Sequence, residues 1–255
     1  MITDYSPTPP LNPHVPAAPA AVTAIDAVFE KLLADIVSGV YAAGARLPAE
    51  RELAKQLGAS RPTLREALRR LGEWNLVQPR RGSGIAVQPV SDWMIDVLPS
   101  YLRYAEPGPE SPSTPQLVKD MLRLRRSLMS EIMDMVAKRV PASAVAKVRA
   151  DAHEAWARRK GNAKFTNADL DVLRNLVGTT NFLPGLWMLN QMSGIYNDLA
   201  RSMGTVLAPS EGYVAAWDGV LDALEQGDAD TAITRLNHYL AAHDERLLAL
   251  LELLQ

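Results

Sequence analysis

Arg61, Arg65 and Arg69 recur every fourth residue in the run SRPTLREALRR, a spacing that places them on one face of a helix. Guanidinium groups in such a row present planar donor forks suited to phosphates and to the edges of bases. Arg51, in the run PAER, adds another cation just upstream, and the loop Arg80-Arg81-Gly82-Ser83-Gly84 adds two more. Glycine in that loop frees the backbone to reach positive φ and to approach another surface closely. Paired arginines on such a loop are drawn to phosphates or to the minor groove. The chemistry these residues predict is recognition of a DNA duplex. Bond-making chemistry has no comparable signature, since nucleophile–base spacings, glycine-rich phosphate loops and paired metal motifs are all missing. Asp169, His238 and Arg125 are the obvious polar candidates for an enzyme, and they form no catalytic pattern.

The elements that must position the arginines follow from local signals. Leu47-Pro48 is expected to open a short helix, with Glu50 and Glu52 near its positive end and Leu53, Ala54 and Leu57 as its apolar stripe. Gly58 then ends it in a left-handed conformation. Ser60 is a natural N-cap for a second helix, with Pro62 in the first turn and Thr63 at the third position. Leu64, Ala67, Leu68 and Leu71 face inward at helical spacing. Two short helices around a tight turn predict a helix-turn-helix. Leu76-Val77 and Ile85-Ala86-Val87 are strand candidates around the arginine loop, which makes that loop a wing. Residues 24–38 form an amphipathic helix packing behind the pair. Each piece alone is an ordinary surface feature, and the combination within one short stretch carries the prediction.

Composition sets the rest of the frame. The chain has 255 residues, net charge −2 and no cysteine. That length accommodates two domains, and the absence of thiols excludes disulfides and suits a reducing compartment, so a cytoplasmic location is expected. No apolar run approaches a membrane span. Residues 1–20, rich in Pro and Ala, lack a basic leader and a long apolar stretch; they read as a disordered or extended arm rather than a signal peptide. Residues 21–90 are expected to form the winged helix-turn-helix and residues 91–115 a linker. The linker's run 91–104 reads as a helix carrying Trp93, Ile95, Leu98 and Leu102, interrupted at Pro99. Residues 116–255 read as helices over 117–140, 142–160, 167–177, 183–207, 211–226 and 228–254. The predicted fold class is mainly α: a winged helix-turn-helix followed by an all-α helical bundle for effector binding and dimerisation.

The run GARLPAERELAKQLGASRPTLREALRRLGEWNLVQPRRGSGIAV resembles the winged helix-turn-helix of the GntR family of bacterial transcription regulators. The resemblance implies that Arg51 holds a phosphate or base edge, and that Arg61 and Arg65 contact bases or phosphates. It assigns supporting phosphate contacts to Ser60 and Thr63, and gives Arg81 and Gly82 the wing's approach to the minor groove. Pro62 stands where many relatives carry a hydrogen-bonding residue, so one contact is missing here. The implied partners are a pseudo-palindromic double-stranded DNA operator, a second copy of the chain and a small-molecule effector, with no membrane.

The helical part resembles the FadR subfamily, whose effector domains are all-helical. One version of that domain holds a divalent metal through an Asp, a His four residues on and two later His. Here Asp169 matches the first ligand, but Leu173, Trp217 and Tyr239 occupy the other positions, with His238 the nearest stand-in and His153 and His243 out of pattern. No metal and no other cofactor are therefore expected. The other version accepts long-chain acyl-CoA in an apolar tunnel. On that likeness Arg125 faces the ligand or organises its pocket, Tyr196 and Tyr239 match tyrosine positions, and Trp187 and Met192, with Met188 and Leu189, line the tunnel. Leu240 and His243 depart from that version near the thioester. A metal-assisted carboxylate or sugar-acid sensor, and a DNA-binding adaptor without any effector, stand as alternatives.

Overall fold

The computed structural model describes residues 23–80, 82, 84–106, 112–159, 162–203 and 211–253. The expected arm at 1–20 and the wing residue Arg81 lie outside them.

Helix α1 (Ala24–Val37) starts at a capping box, in which Thr23 Oγ1 accepts from the Asp26 amide at 3.1 Å and Asp26 Oδ2 accepts from the Thr23 amide at 3.1 Å. Asp26 also accepts from Arg70 Nη1 at 2.8 Å, and the Arg70 guanidinium lies 4.2 Å from the Phe29 ring centroid. These contacts fasten α1 to α3 (Arg61–Glu73). Between them, α2 spans Glu50–Gln56 with Ala49 as its N-cap. Pro48 therefore precedes the helix instead of opening it. Gly58, at φ +61°, makes the turn between α2 and α3. Ser60 caps α3 by accepting from the Thr63 amide at 3.2 Å, and Pro62 sits in its first turn, as the sequence predicts.

Strands β1 (Val77–Arg80) and β2 (Gly84–Val87) pair antiparallel, Val77 opposite Val87 and Arg80 opposite Gly84. A third segment, unanticipated from sequence, joins them: the Leu47 amide donates to Ile85 O at 2.9 Å and the Val87 amide to Ala45 O at 2.9 Å. The chain before α2 is thus stitched to the hairpin, which fixes the wing against the helix pair. Phe29, Leu32, Leu33, Leu64, Leu71, Leu76 and Val87 fill the common core. Burying each such side chain stabilises by about 1.5–3 kcal/mol.

The linker departs from the expected single helix. Short 3₁₀ turns at Val90–Asp92 and Ile95–Val97 lead into α4 (Leu98–Tyr104), whose first turn contains Pro99. Proline begins this helix, a position where its missing N–H costs nothing.

Six longer helices follow: α5 (Thr114–Ala137), α6 (Ala142–Ala157), α7 (Asn162–Gly178), α8 (Leu183–Met203), α9 (Tyr213–Glu225) and α10 (Ala229–Leu253). Packing runs α5 on α10, α10 on α9, α9 on α6, α6 on α7 and α7 on α8. Met133, Val136, Val145, Leu176, Leu189, Tyr213 and Leu221 form the second core. The architecture is the mainly α fold expected, with a winged helix-turn-helix ahead of a helical bundle. Helix α4 joins the two parts physically. Tyr101 and Tyr104 pack into the first core, while Leu98 and Leu102 meet Met192 and Ile195 of α8.

Candidate DNA-reading surface and effector pocket

At the N-terminal end of α3, Ser60, Arg61 and Arg65 are exposed and Thr63 is half-buried, its hydroxyl 2.7 Å from Ser60 Oγ. Arg51 extends from the first turn of α2 and pairs weakly with Glu52 at 3.2 Å. Arg65 Nε donates to Glu50 Oε2 at 2.8 Å, which brings the start of α2 against this end of α3. Arg69 is different. Glu66 and Glu73 both hold its guanidinium, so its charge is answered within α3. No ion pair joins Arg61 or Arg80 to another described residue. Gly82, at φ +67°, turns the exposed tip of the hairpin, a conformation that a residue with a Cβ adopts only under strain. Between α3 and the wing lies a crevice of ≈ 370 Å³ lined by Glu50, Arg65, Arg69 and Pro79 among others. The residues singled out from sequence for DNA contact, Arg81 apart, are thus carried by one helix pair and one hairpin joined through a shared core.

In the bundle, Arg125 on α5 is buried against Asp244 on α10, which is itself 3% exposed; the two are ion-paired. Arg126 reaches the same carboxylate from the solvent side at 3.4 Å. The Arg125 guanidinium lies 5.7 Å from the centre of the Tyr196 ring. Burial, with Arg125 and Arg246 nearby, pushes the His243 imidazole down to about 4, so it is neutral at pH 7. Burial pushes the Asp244 carboxyl up, opposed by the arginines. Four buried polar atoms in this neighbourhood, Arg125 Nε, Tyr196 Oη, His243 Nδ1 and Asp244 Oδ2, make no hydrogen bond to another described residue, although Asp244 Oδ2 has the Arg126 ion pair. Asp244 escaped the sequence reading altogether.

The other expected lining residues separate. Tyr239 lines a cavity of ≈ 70 Å³ together with Asp169, Leu173, Trp217, Met129 and Leu240. Met192 is buried, but it faces Leu98 and Leu102 of the linker. Trp187 is 65% exposed, and Met188 is 42% exposed. Trp187 therefore lines no interior site. It falls at the outward-facing N-terminal half of α8, while Leu189, two residues on, takes the core position.

The four positions compared with a metal site do converge, since Asp169, Leu173, Trp217 and Tyr239 all line the one small cavity. The donor set does not fit a divalent metal. Leucine and tryptophan offer no lone pair, and no cluster of three or more His, Cys, Asp or Glu occurs among the described residues. His153 is engaged elsewhere, 2.9 Å from Asp218. Burial raises the Asp169 carboxyl, while the Tyr213 hydroxyl and the Trp217 indole N–H facing it, and Arg125 further off, pull the other way.

Comparison with known proteins agrees with both halves of this arrangement. Residues 24–87 match the model of bacterial regulatory proteins of the gntR family, and residues 120–242 match the FCD domain. The HTH-type transcriptional regulator Mce2R of Mycobacterium tuberculosis is 26% identical over 231 residues, covering 89% of this chain and 92% of that protein. The galactonate operon transcriptional repressor of Escherichia coli is 30% identical over 148 residues, 57% of this chain and 62% of its own. The fatty acid metabolism regulator protein of Salmonella typhi is 29% identical over 174 residues, 68% and 69% of the two chains. A solved structure of Lar, described as controlling expression of the Listeria monocytogenes agr system, superposes with a TM-score of 0.59 at 15% identity, covering 88% of this chain and 96% of that one; it shows the same fold. These relatives are regulators of transcription and not enzymes. Winged helix-turn-helix and helical bundle together place this chain in the GntR family of bacterial transcription regulators, in the branch that carries an FCD domain.

Proposed function

We propose that two copies of this chain bind a pseudo-palindromic operator in the bacterial cytoplasm, and that a small metabolite held in the helical bundle beside Arg125 alters that binding. On this reading the N-terminal end of α3 enters the major groove. Arg61 and Arg65 meet base edges or phosphates there, Ser60 and Thr63 hold the backbone, Arg51 reaches a flanking phosphate, and Arg81 with Gly82 brings the wing to the minor groove. Homodimerisation supplies the second half-site.

The observation that carries the effector site is the set of unbonded polar atoms on Arg125, Tyr196, His243 and Asp244. Each buried polar group left without a partner costs about 1–3 kcal/mol. A group of them in one place is the mark of a polar ligand or of ordered water. Tyr196 links this place to the linker, because it also packs on the cluster formed by Met192, Ile195, Leu98 and Leu102. A metabolite that repositions Arg125 would therefore push on α4, and α4 on α1. Ligand and operator must then change each other's affinity by the same factor, typically about 1–3 kcal/mol.

Long-chain acyl-CoA is the second reading, favoured by the likeness to the fatty acid metabolism regulator. Against it stand the cavity beside Tyr239, ≈ 70 Å³, and the outward position of Trp187. Drug-sized ligands occupy pockets of roughly 300–1,000 Å³, so an acyl chain would require the bundle to open. The likeness to a galactonate operon repressor fits a small polar effector better.

Fluorescence anisotropy on DNA from the chain's own genomic neighbourhood tests the proposal. Salt-sensitive, sequence-selective binding that a small metabolite changes is expected, with acyl-CoAs run in the same panel. Binding that no fragment distinguishes, or that no metabolite alters, removes the reading.

A further inference from the structure

The Asp169 cavity differs in kind from the Arg125 cluster next to it. Its walls come from four helices: Met129 of α5, Leu170 and Leu173 of α7, Trp217 of α9, and Tyr239 of α10. Asp169 is the one carboxylate among its lining residues, and no ion pair joins it to a described residue. The nearby guanidinium of Arg125 is already bound by Asp244. His243 is neutral. Arg126 reaches the same Asp244 carboxylate at 3.4 Å, so both guanidinium groups are committed there, and Asp169 is faced by the Tyr213 hydroxyl and the Trp217 indole N–H instead of by a paired cation. Beside Asp169 is an edge-to-face cluster of rings: Tyr213 lies 6.4 Å from Trp217, 6.2 Å from Tyr239 and 5.0 Å from Phe165. The Tyr213 hydroxyl, fully buried, faces the Asp169 carboxyl.

A carboxylate in a pocket walled by aromatic and aliphatic side chains discriminates among cations. Metals need lone pairs from several directions, and Leu173 and Trp217 offer none. Ring faces attract cations through their quadrupole and suit organic ammonium groups. Size narrows the choice. At ≈ 70 Å³ the cavity holds a few water-sized groups, each needing roughly 10–15 Å³, which is room for a terminal CH₂–NH₃⁺. A sugar acid or an acyl chain is too large for it, and a trimethylammonium head has no N–H to donate to the carboxylate.

We propose that the Asp169 cavity receives the primary ammonium head of a small organic amine, with the carboxylate as its counter-ion and Trp217 and Tyr239 as its walls. This rests on the reading that the bundle binds a metabolite beside Arg125, and it names the chemistry of the group that the metabolite places in the adjoining cavity. The rest of the ligand extends past Leu240 and Met129, at the rim shared by α5 and α10.

Calorimetric titration of the full-length protein at pH 7 with n-butylamine, n-butanol, tetramethylammonium and Zn²⁺ tests the site. Butylamine is expected to bind at least about tenfold more tightly than butanol, a difference of roughly 1.4 kcal/mol. Asp169→Asn is expected to abolish that preference, and Tyr239→Leu to weaken amine binding by about fivefold or more. Either substitution suffices if the other fails to fold, which circular dichroism reports. Equal affinity for butylamine and butanol overturns the proposal. So does tetramethylammonium binding as tightly as butylamine, or Zn²⁺ binding that Asp169→Asn removes. Operator anisotropy run in parallel separates the two readings: a missing amine preference with metabolite-responsive operator binding sinks this site alone, whereas operator binding that no metabolite alters sinks the reading beneath it.

Discussion

Glu50 Oε2 lies 2.8 Å from Arg65 Nε, so the first turn of α2 holds a guanidinium that projects from the start of α3. Both side chains are exposed, and an exposed ion pair contributes only about 0–1 kcal/mol to folding. It ties Arg65 to the start of α2 at the crevice between α3 and the wing, which both residues line. If Arg65 reads a base, Arg65→Ala weakens operator binding by about 1–3 kcal/mol. Arg69, four residues on, is already answered by Glu66 and Glu73. Arg69→Ala is accordingly expected to leave affinity unchanged within about threefold. Anisotropy on one operator at one fixed salt concentration decides both. Equal losses for the two variants would mean that the whole arginine row acts as a diffuse field.

Arg61 and Arg80 carry no ion pair to another described residue and so are available to phosphates. Each phosphate contact releases condensed counterions, and losing one lowers the slope of log affinity against log salt by about 0.9. Arg61→Ala should then flatten the salt dependence by about one unit while weakening specific and non-specific DNA alike. A loss confined to the specific site would transfer Arg61 to base reading.

The Arg125–Asp244 pair joins α5 to α10 across the bundle. Removing one member leaves the other as an uncompensated buried charge, which costs about 3–5 kcal/mol, whereas replacing both with apolar groups is often neutral. Because Arg126 still reaches Asp244 at 3.4 Å, urea unfolding should show Arg125→Ala destabilised by less than that amount, and Arg125→Met with Asp244→Leu close to the parent. The double variant should also keep operator binding and lose the metabolite response. A double variant as unstable as the single one would show that the pair holds the fold by more than its charges.

His243 sets a pH dependence of known sign. Its imidazole is held near 4 by burial and by Arg125 and Arg246, against an ordinary 6.5, with Asp244 beside it in sequence and Arg126 reaching in from α5. Between these values the unfolded chain binds a proton that the folded protein refuses, so stability falls as pH drops from about 6.5 to about 4. The effect is at most on the order of 3 kcal/mol. Asp169 and Asp244, raised by burial, contribute in the opposite direction, from about pH 4 upward through their raised pKa values. The difference between wild type and His243→Leu, measured by thermal unfolding across this window, isolates the imidazole. A constant difference from pH 7 to pH 4.5 would mean that His243 titrates normally.

Local signals made the DNA-reading half legible. A capping serine, a glycine turn and apolar spacing each act within a few residues, and α1, α3 and the hairpin lie where they point. The third segment at 44–47 was hidden because three backbone hydrogen bonds to a distant hairpin leave no periodicity. In the bundle, helix existence was legible and facing was not. Trp187 reads as lining because it is large and apolar, yet Leu189 takes the inward position on the same helix. Asp244 did leave a trace. It continues the four-residue spacing of Leu236 and Leu240, so a carboxylate on a core-facing stripe required a buried cation. The convergence of Asp169, Trp217 and Tyr239 could not be read from sequence distance, because it depends on how three helices pack.

Helix α4 is the physical link between the two halves, and its contacts make coupling testable apart from binding. Gln191 Nε2 on α8 donates to both carboxylate oxygens of Asp96, at 2.9 and 3.1 Å, and Ile195, one turn later, packs on Leu98 and Leu102. On the far side of α4, Tyr101 and Tyr104 press on the core shared by α1 and α3. None of these side chains belongs to the proposed DNA surface. If they carry the signal, Asp96→Ala with Gln191→Ala leaves the operator affinity of the ligand-free protein within about threefold of the parent. The same variant should shrink the metabolite-induced change, of about 1–3 kcal/mol in the parent, by half or more. Leu102→Ala should shrink it further, because it removes packing on the bundle side of α4. The measurement is operator affinity with and without saturating metabolite, for each variant. A full metabolite response in both variants would take the signal out of α4 and put it in the relation between the two copies.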